Sequence, residues 1–177
     1  MGAPKRVVGY QLDNPEVRLS ANNVIRAKEG SLMFKDKVKE AVEFRDYAIV
    51  YSQGNNYPKN DDDAADDFVD LMFTASKAYN FKLSKPGFIT CDSNIKSWKE
   101  EIKRDIDKSG KPQILILFFN NHEEKFYGEL KNYITCELKL PCQAVRRRTV
   151  GKGAKSALSA ASKILIQMNQ KIGGVAW

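Results

Sequence analysis

The apolar positions of this chain come in two textures that alternate from residue 47 onward: short unbroken runs, and stretches where apolar residues return every three or four positions. Tyr47–Ser52 (YAIVYS) is of the first kind, aromatic and β-branched, and predicts a buried strand. A loop follows over Gly54–Lys59, marked by Asn55-Asn56 and Pro58. Asn60–Asp63 then opens a helix, because asparagine and aspartate side chains satisfy free N–H groups of a first turn and suit the positive end of the helix dipole. Ala65, Phe68, Val69, Met72, Ala75 and Tyr79 form its apolar stripe. Pro86–Thr90 predicts a second strand, and Ser93 the cap of a second helix with Ile95, Trp98, Ile102 and Ile106 on one face. Ser109-Gly110-Lys111-Pro112 ends that helix.

Gln113–Phe119 (QILILFF) is the most pronounced strand, and its apolar residues do not alternate with polar ones. That texture indicates burial on both faces, as in a parallel sheet covered by helices. Asn120-Asn121-His122 leads out of it, and Glu123–Tyr133 reads as a helix. After the break at Leu140-Pro141, Gln143–Val150 predicts another strand. A final helix spans Ala154 to Lys171, with Leu158, Ala161, Leu165, Met168 and Ile172 as its buried stripe and Gly173-Gly174 as its terminator. This βαβα alternation, about four strands and four helices over residues 47–172, predicts an α/β fold: a Rossmann-like open, mostly parallel sheet with helices on both faces. Ligands of such sheets sit beyond the carboxyl ends of the strands, so the segment after Phe119 is a predicted ligand-binding edge.

Before residue 46 the pattern is weaker. Gly9 to Ser20 alternates loosely, as extended chain would; Ala21–Lys28 fits no single period, and Lys35–Glu43 suits a short helix or a connection. Residues 1–45 therefore read as a lead-in and 46–177 as one domain, which 177 residues can support with a real core. No run approaches 18 uninterrupted apolar residues, and the first residues lack a basic-then-apolar leader pattern. Gly173-Gly174-Val175-Ala176-Trp177 stops on an apolar residue, as a piece cut from a longer protein would.

Charge adds direction to this picture. Residues 1–110 carry 18 basic and 18 acidic side chains, whereas 111–177 carry 11 and 4, so the whole net charge of +7 lies in the last third. After Glu137 there is no carboxylate side chain, while Lys139, Arg146, Arg147, Arg148, Lys152, Lys155, Lys163 and Lys171 remain. Such a segment attracts polyanions, phosphate above all. Arg146-Arg147-Arg148 cannot all face one way on a strand, so only part of the triplet is expected along a nucleic-acid path. Cys91, Cys136 and Cys142 stand in no metal-ligand spacing and read as buried reduced thiols.

The last 67 residues contain a specific spacing. Tyr127 and Lys131 in FYGELK lie four apart and share one helix face. Gln143 follows twelve residues after Lys131, and Lys171 closes the last helix in QMNQKIGG. Two ammonium groups, an amide and a phenol suit one terminal nucleotide: charge and hydrogen bonds for phosphate oxygens, and a ring to stack on a base.

This Tyr-x3-Lys, the glutamine twelve on, and the lysine before a hydrophobic-Gly-Gly resemble the MID domain of Argonaute/Piwi proteins. The likeness is sharp over 111–177, architectural over about 45–110, and faint before that. It implies that Tyr127, Lys131, Gln143 and Lys171 hold the 5′ phosphate of a small single-stranded guide RNA, with Tyr127 stacked on the first base and Thr149 as a further phosphate contact. It implies that Asn120, Asn121, His122, Glu123, Glu124 and Lys125 form a loop facing that base. Four residues before the final lysine stands Gln167, as is usual in the Piwi branch, where Argonaute-branch proteins usually carry lysine. The Piwi likeness implies Mg²⁺ bridging guide phosphates near Gln167 in place of the missing charge, with no metal held by protein side chains alone. It further implies a piRNA-like guide, a following RNase H-like PIWI domain that would carry any RNA cutting, and an intracellular place, cytoplasmic or nuclear, away from membranes. Catalysis within this chain is not expected, because the last third lacks clustered carboxylates for two-metal chemistry.

Three other readings compete. Gly151-Lys152-Gly153-Ala154-Lys155-Ser156 looks like a phosphate loop, but Ala154 replaces the glycine before the lysine and Thr149 the first glycine. A Rossmann-type regulatory domain would bind a free nucleotide, and a generic basic interaction module would ignore the 5′ phosphate.

Overall fold

The computed structural model describes residues 9, 10, 13, 16–20, 23–26, 38–54, 60–150 and 153–175. A short antiparallel pair, β1 (Glu16–Ser20) and β2 (Asn23–Arg26), precedes the main body, and Glu16 pairs with Arg26 across it at 2.6 Å. The extended reading of that stretch thus holds over Glu16–Ser20. Part of the ambiguous stretch that follows is strand, whereas Gln11, Leu12 and Lys35–Lys37 lie outside the described residues.

The main sheet contains β3 (Tyr47–Ser52), β4 (Gly87–Cys91), β5 (Ile114–Phe119) and β6 (Cys142–Arg146), in the order β4-β3-β5-β6 and parallel throughout. Helices α1 (Asp61–Tyr79) and α5 (Ala154–Lys171) cover one face. Helix α2 (Ile95–Ser109) and the short α3 (Tyr127–Asn132) cover the other. The unbroken apolar texture of β3 and β5 follows, since every residue of both strands is buried. Phe68 stacks on Phe118 on one side, and Trp98 on Phe119 on the other, with ring centroids 5.3 and 5.0 Å apart.

Local chemistry places most boundaries as read. Asn60 caps α1, its side chain accepting from Asp63 N at 2.7 Å. The second strand lies one residue further on than read, at Gly87–Cys91, and other details differ as well. Asn94 rather than Ser93 caps α2, accepting from Ser97 N. The stretch read as one helix over 123–133 is a 3-10 segment, Asn121–Phe126, then α3, then a π-helical turn, Tyr133–Glu137. The capping box of Asn120 and Glu123 starts that 3-10 segment earlier than apolar spacing suggested. The strand read over 143–150 ends at Arg146, and Arg147–Val150 forms a four-residue turn of helix, α4. Arg147 turns inward there to an acidic partner, Asp61.

The core extends into the lead-in. Phe44 is fully buried between Tyr47 and Phe81, and Glu40 exchanges backbone hydrogen bonds with Val175. Buried Asn169 fastens the same segment to α5: it accepts from Val42 N at 2.8 Å and donates to Glu40 O at 2.9 Å. This explains the double glycine. Gly173 adopts φ +97°, and at Gly174 a Cβ would overlap the Asn169 side chain. Cys91 and Cys142 are buried as read, and burial pushes the Cys91 thiol up to about 12. Cys136 is exposed, because the π-helical turn points it outward.

Candidate nucleic-acid interface

A cavity of about 360 Å³ opens between β6, α5 and the start of α3, near the carboxyl ends of β5 and β6. Its wall includes Phe119, Glu124, Tyr127, Gln143, Thr149 and Gln167. Tyr127 opens α3 and rests half-buried against Phe119 in an edge-to-face contact at 5.8 Å. The helix places Lys131 one turn on, with its Nζ 5.8 Å from the centre of the Tyr127 ring.

Gln143, nearly buried on β6, links the remaining groups. Its Nε2 donates to Gln167 Oε1 at 3.1 Å and to the Ala144 carbonyl at 3.0 Å. Its Oε1 accepts from Lys171 Nζ at 2.9 Å, and the same ammonium donates to the Cys142 carbonyl at 2.6 Å. Antiparallel packing of α5 along β6 accounts for this: Gln167 and Lys171, four apart, face the strand one turn after the other. Desolvation lowers the Lys171 pKa, the Cys142 thiol opposes that, and the Lys131 charge adds a smaller lowering. Among the described residues no ion pair joins this ammonium to a carboxylate, so it is held by neutral oxygens while the Lys131 charge repels it. An anion placed between the two lysines would relieve that repulsion.

The structure thus gathers Tyr127, Gln143, Thr149 and Gln167 on one cavity wall, with Lys171 bonded to Gln143 and Lys131 over the Tyr127 ring. The segment read as a base-facing loop divides. Glu124 lines this cavity, whereas Asn120 and His122 line a neighbouring crevice of about 330 Å³ with Ser52, Gln53, Gly54 and Ser93. Glu123 is fully buried and accepts from Asn120 N at 2.8 Å and Ser93 Oγ at 3.0 Å; Asn121 and Lys125 are exposed.

Arg147 was not singled out beyond its triplet. Its guanidinium pairs with buried Asp61 and reaches Asn120 Oδ1 at 3.4 Å and the Asn60 carbonyl at 3.2 Å, joining the starts of α1, α4 and the 3-10 segment. Its neighbours Arg146 and Arg148 both reach Glu124, at 3.1 and 3.4 Å. In the phosphate-loop lookalike, Gly151 and Lys152 lie outside the described residues, and Gly153 serves as the N-cap of α5. Among the described residues no cluster of three or more His, Cys, Asp or Glu could hold a metal ion, and no helix is long and apolar enough to cross a membrane.

Fold and cavity define a Rossmann-like α/β domain with a polar pocket at the edge of its sheet and two lysines close by. Comparison with known proteins narrows the class. No family model matches the chain. It is 23% identical to the protein argonaute-3 of Drosophila melanogaster over 176 residues, covering 97% of this chain and 19% of that protein. It is 25% identical to Piwi-like protein 1 of Gallus gallus over 121 residues, 68% of this chain and 14% of that one. Among solved structures, Drosophila Piwi superposes over 94% of this chain and 23% of its own at TM-score 0.74 and 17% identity. The MID domain of Arabidopsis thaliana AGO5 superposes over 78% of this chain and 95% of its own, at TM-score 0.60 and 18% identity. Aa-Ago, solved with externally bound siRNA, does so over 76% of this chain and 19% of its own, at TM-score 0.56 and 15% identity. The relatives are Piwi/Argonaute proteins, Piwi-branch members among them, and the fold is that of the Argonaute MID domain. The chain spans less than a fifth of the length of those curated relatives.

Proposed function

We propose that this domain anchors a small guide RNA by its 5′-phosphorylated terminal nucleotide. The observation that carries the reading is the chain of hydrogen bonds Lys171–Gln143–Gln167, which ties one lysine to a cavity wall that Tyr127, Gln143 and Gln167 share, with Lys131 beside the Tyr127 ring. In this reading the two ammonium groups and the Gln143 amide bind phosphate oxygens, Thr149 adds a hydroxyl, and the Tyr127 ring supports the first base. Kinship with Piwi and Argonaute proteins supports guide RNA as the ligand class, and one structural neighbour was solved with siRNA. The domain acts as a binding module, residues 46–177 at its centre, within a longer parent whose PIWI domain would perform any cleavage.

Gln167 offers a neutral amide oxygen where a further lysine would bring charge. That donor suits a hard divalent cation, which would take its other ligands from guide phosphates. Added Mg²⁺ is accordingly expected to tighten binding of a 5′-phosphorylated RNA. Lys131→Ala and Lys171→Ala are each expected to cost about 1–3 kcal/mol of affinity for such an RNA, as loss of a charge-assisted hydrogen bond does. Isothermal titration checks both. Unchanged affinity in the Lys131→Ala protein, whose exposed lysine carries no part of the core, would remove the phosphate from this site. The crevice beside Ser52 and His122 favours free-nucleotide binding as a second reading, because it lies where adjacent parallel strands β3 and β5 send their connections to opposite faces. A mononucleotide that binds wild-type protein and both lysine variants alike would support it.

A further inference from the structure

Glu124 is the one carboxylate among the described residues on the wall of the main cavity, and it has two arginine partners. Its Oε2 lies 3.1 Å from Arg146 Nη2 and its Oε1 lies 3.4 Å from Arg148 Nη2. Arg146 also lines the cavity, and the side chains of both arginines stay more than half exposed, whereas Glu124 is 28% exposed. The carboxylate therefore sits inside the rim while the guanidinium groups face solvent. Arg147, between them, is spent on Asp61 and does not compete.

We propose that Arg146 and Arg148 form a second anion site at the cavity mouth, for the backbone phosphate that follows the terminal nucleotide, and that Glu124 holds this site closed until a strand displaces it. This rests on the terminal-phosphate reading above. Glu124 is an internal stand-in for phosphate: it lies within ion-pair distance of both guanidinium groups, with its buried Oε1 making no hydrogen bond, cancels one of their two charges, and ties the 3-10 segment to the end of β6. A nucleoside monophosphate has no following phosphate and leaves the pair closed. A strand offers a second phosphate to two partly exposed arginines, whose bidentate geometry suits it. The device thus discriminates a polymer from a free nucleotide by making only the polymer open the rim.

The test is a double-mutant cycle on the strand-to-monophosphate affinity ratio, measured with a 5′-phosphorylated RNA trinucleotide and with UMP. Glu124→Gln keeps the shape and removes the charge, and is expected to raise that ratio about fivefold to tenfold, since two partly exposed ion pairs are released. Combined Arg146→Gln and Arg148→Gln should lower the ratio, and in that background Glu124→Gln should change nothing. A ratio unaltered by Glu124→Gln overturns the latch. If wild-type protein binds no UMP yet its trinucleotide affinity rises in Glu124→Gln and falls in the arginine variant, the latch stands and the terminal-phosphate reading fails. If UMP binds and the ratio stays fixed, the reverse holds.

Discussion

Arg147→Ala is expected to destabilise the domain by about 3–5 kcal/mol, the usual cost of removing one partner of a buried ion pair. The Arg147 side chain is 13% exposed and that of Asp61 5%, so the variant leaves a carboxylate in a place built around a guanidinium. The N–H groups at the start of α1 offset part of that cost, which favours the lower end of the range. Asn120 and the Asn60 carbonyl lose their cationic donor as well, so the exits of β5 and β6 loosen together. Denaturant unfolding checks the value as a fall in midpoint at constant slope. Replacing both partners, Arg147→Met with Asp61→Leu, should recover much of the loss, because no unpaired charge then remains. A single variant within 1 kcal/mol of wild type would show that the network around Asp61 is solvated.

Phe44→Ala is expected to cost a similar amount, about 3–5 kcal/mol, from transfer of the ring and the cavity it leaves. Phe44 is fully buried, edge-on to Tyr47 at 6.2 Å and Phe81 at 5.8 Å. Its backbone is also held: Phe44 N donates to Lys82 O at 2.9 Å, and Ser84 N donates to Phe44 O at 2.8 Å. A chain begun at residue 46 would lose the ring, those bonds and the Asn169 tie to residues 40–42. Thermal unfolding of Phe44→Ala beside a chain begun at residue 46 separates the contribution of the ring from that of the backbone bonds and the Asn169 tie. A midpoint for Phe44→Ala equal to wild type would place this residue outside the cooperative core.

These two residues mark the limit of what the sequence made legible. Unbroken apolar runs gave β3 and β5 almost to the residue, because a strand buried on both faces is apolar or aromatic along nearly its whole length. The last helix was legible at both ends, Ala154 and Lys171, since a long period with a terminal Gly-Gly has few alternatives. Phe44 was not legible: one aromatic among charged residues has no period, and only tertiary packing shows its burial. Arg147 was hidden inside a basic triplet whose three members have different tasks, one inward and two on Glu124. The break at Arg146 that turns the chain into α4 left no apolar signal either.

The candidate site was legible in a different way. Composition offered only a basic last third, and each of Tyr127, Lys131, Gln143 and Lys171 had an ordinary explanation by itself. The spacing joined them, and the structure supplies the physical reason: β6 and α5 run side by side, so Gln143 meets Gln167 and Lys171 one helical turn apart. Six consecutive residues read as one base-facing loop divide among a cavity wall, a neighbouring crevice, a buried cap and open solvent. A capping box turned Asn120 and Glu123 inward, a bond pattern that alternation cannot reveal.

Anchoring of a terminal phosphate is tested most directly by titrating one short RNA in two forms, 5′-phosphorylated and 5′-hydroxyl, into the same protein. One lysine held by the Gln143 amide and another beside the Tyr127 ring predict strong preference for the phosphorylated form, about tenfold or more in affinity, and a preference that shrinks in Lys131→Ala. Equal affinity for the two forms would contradict it.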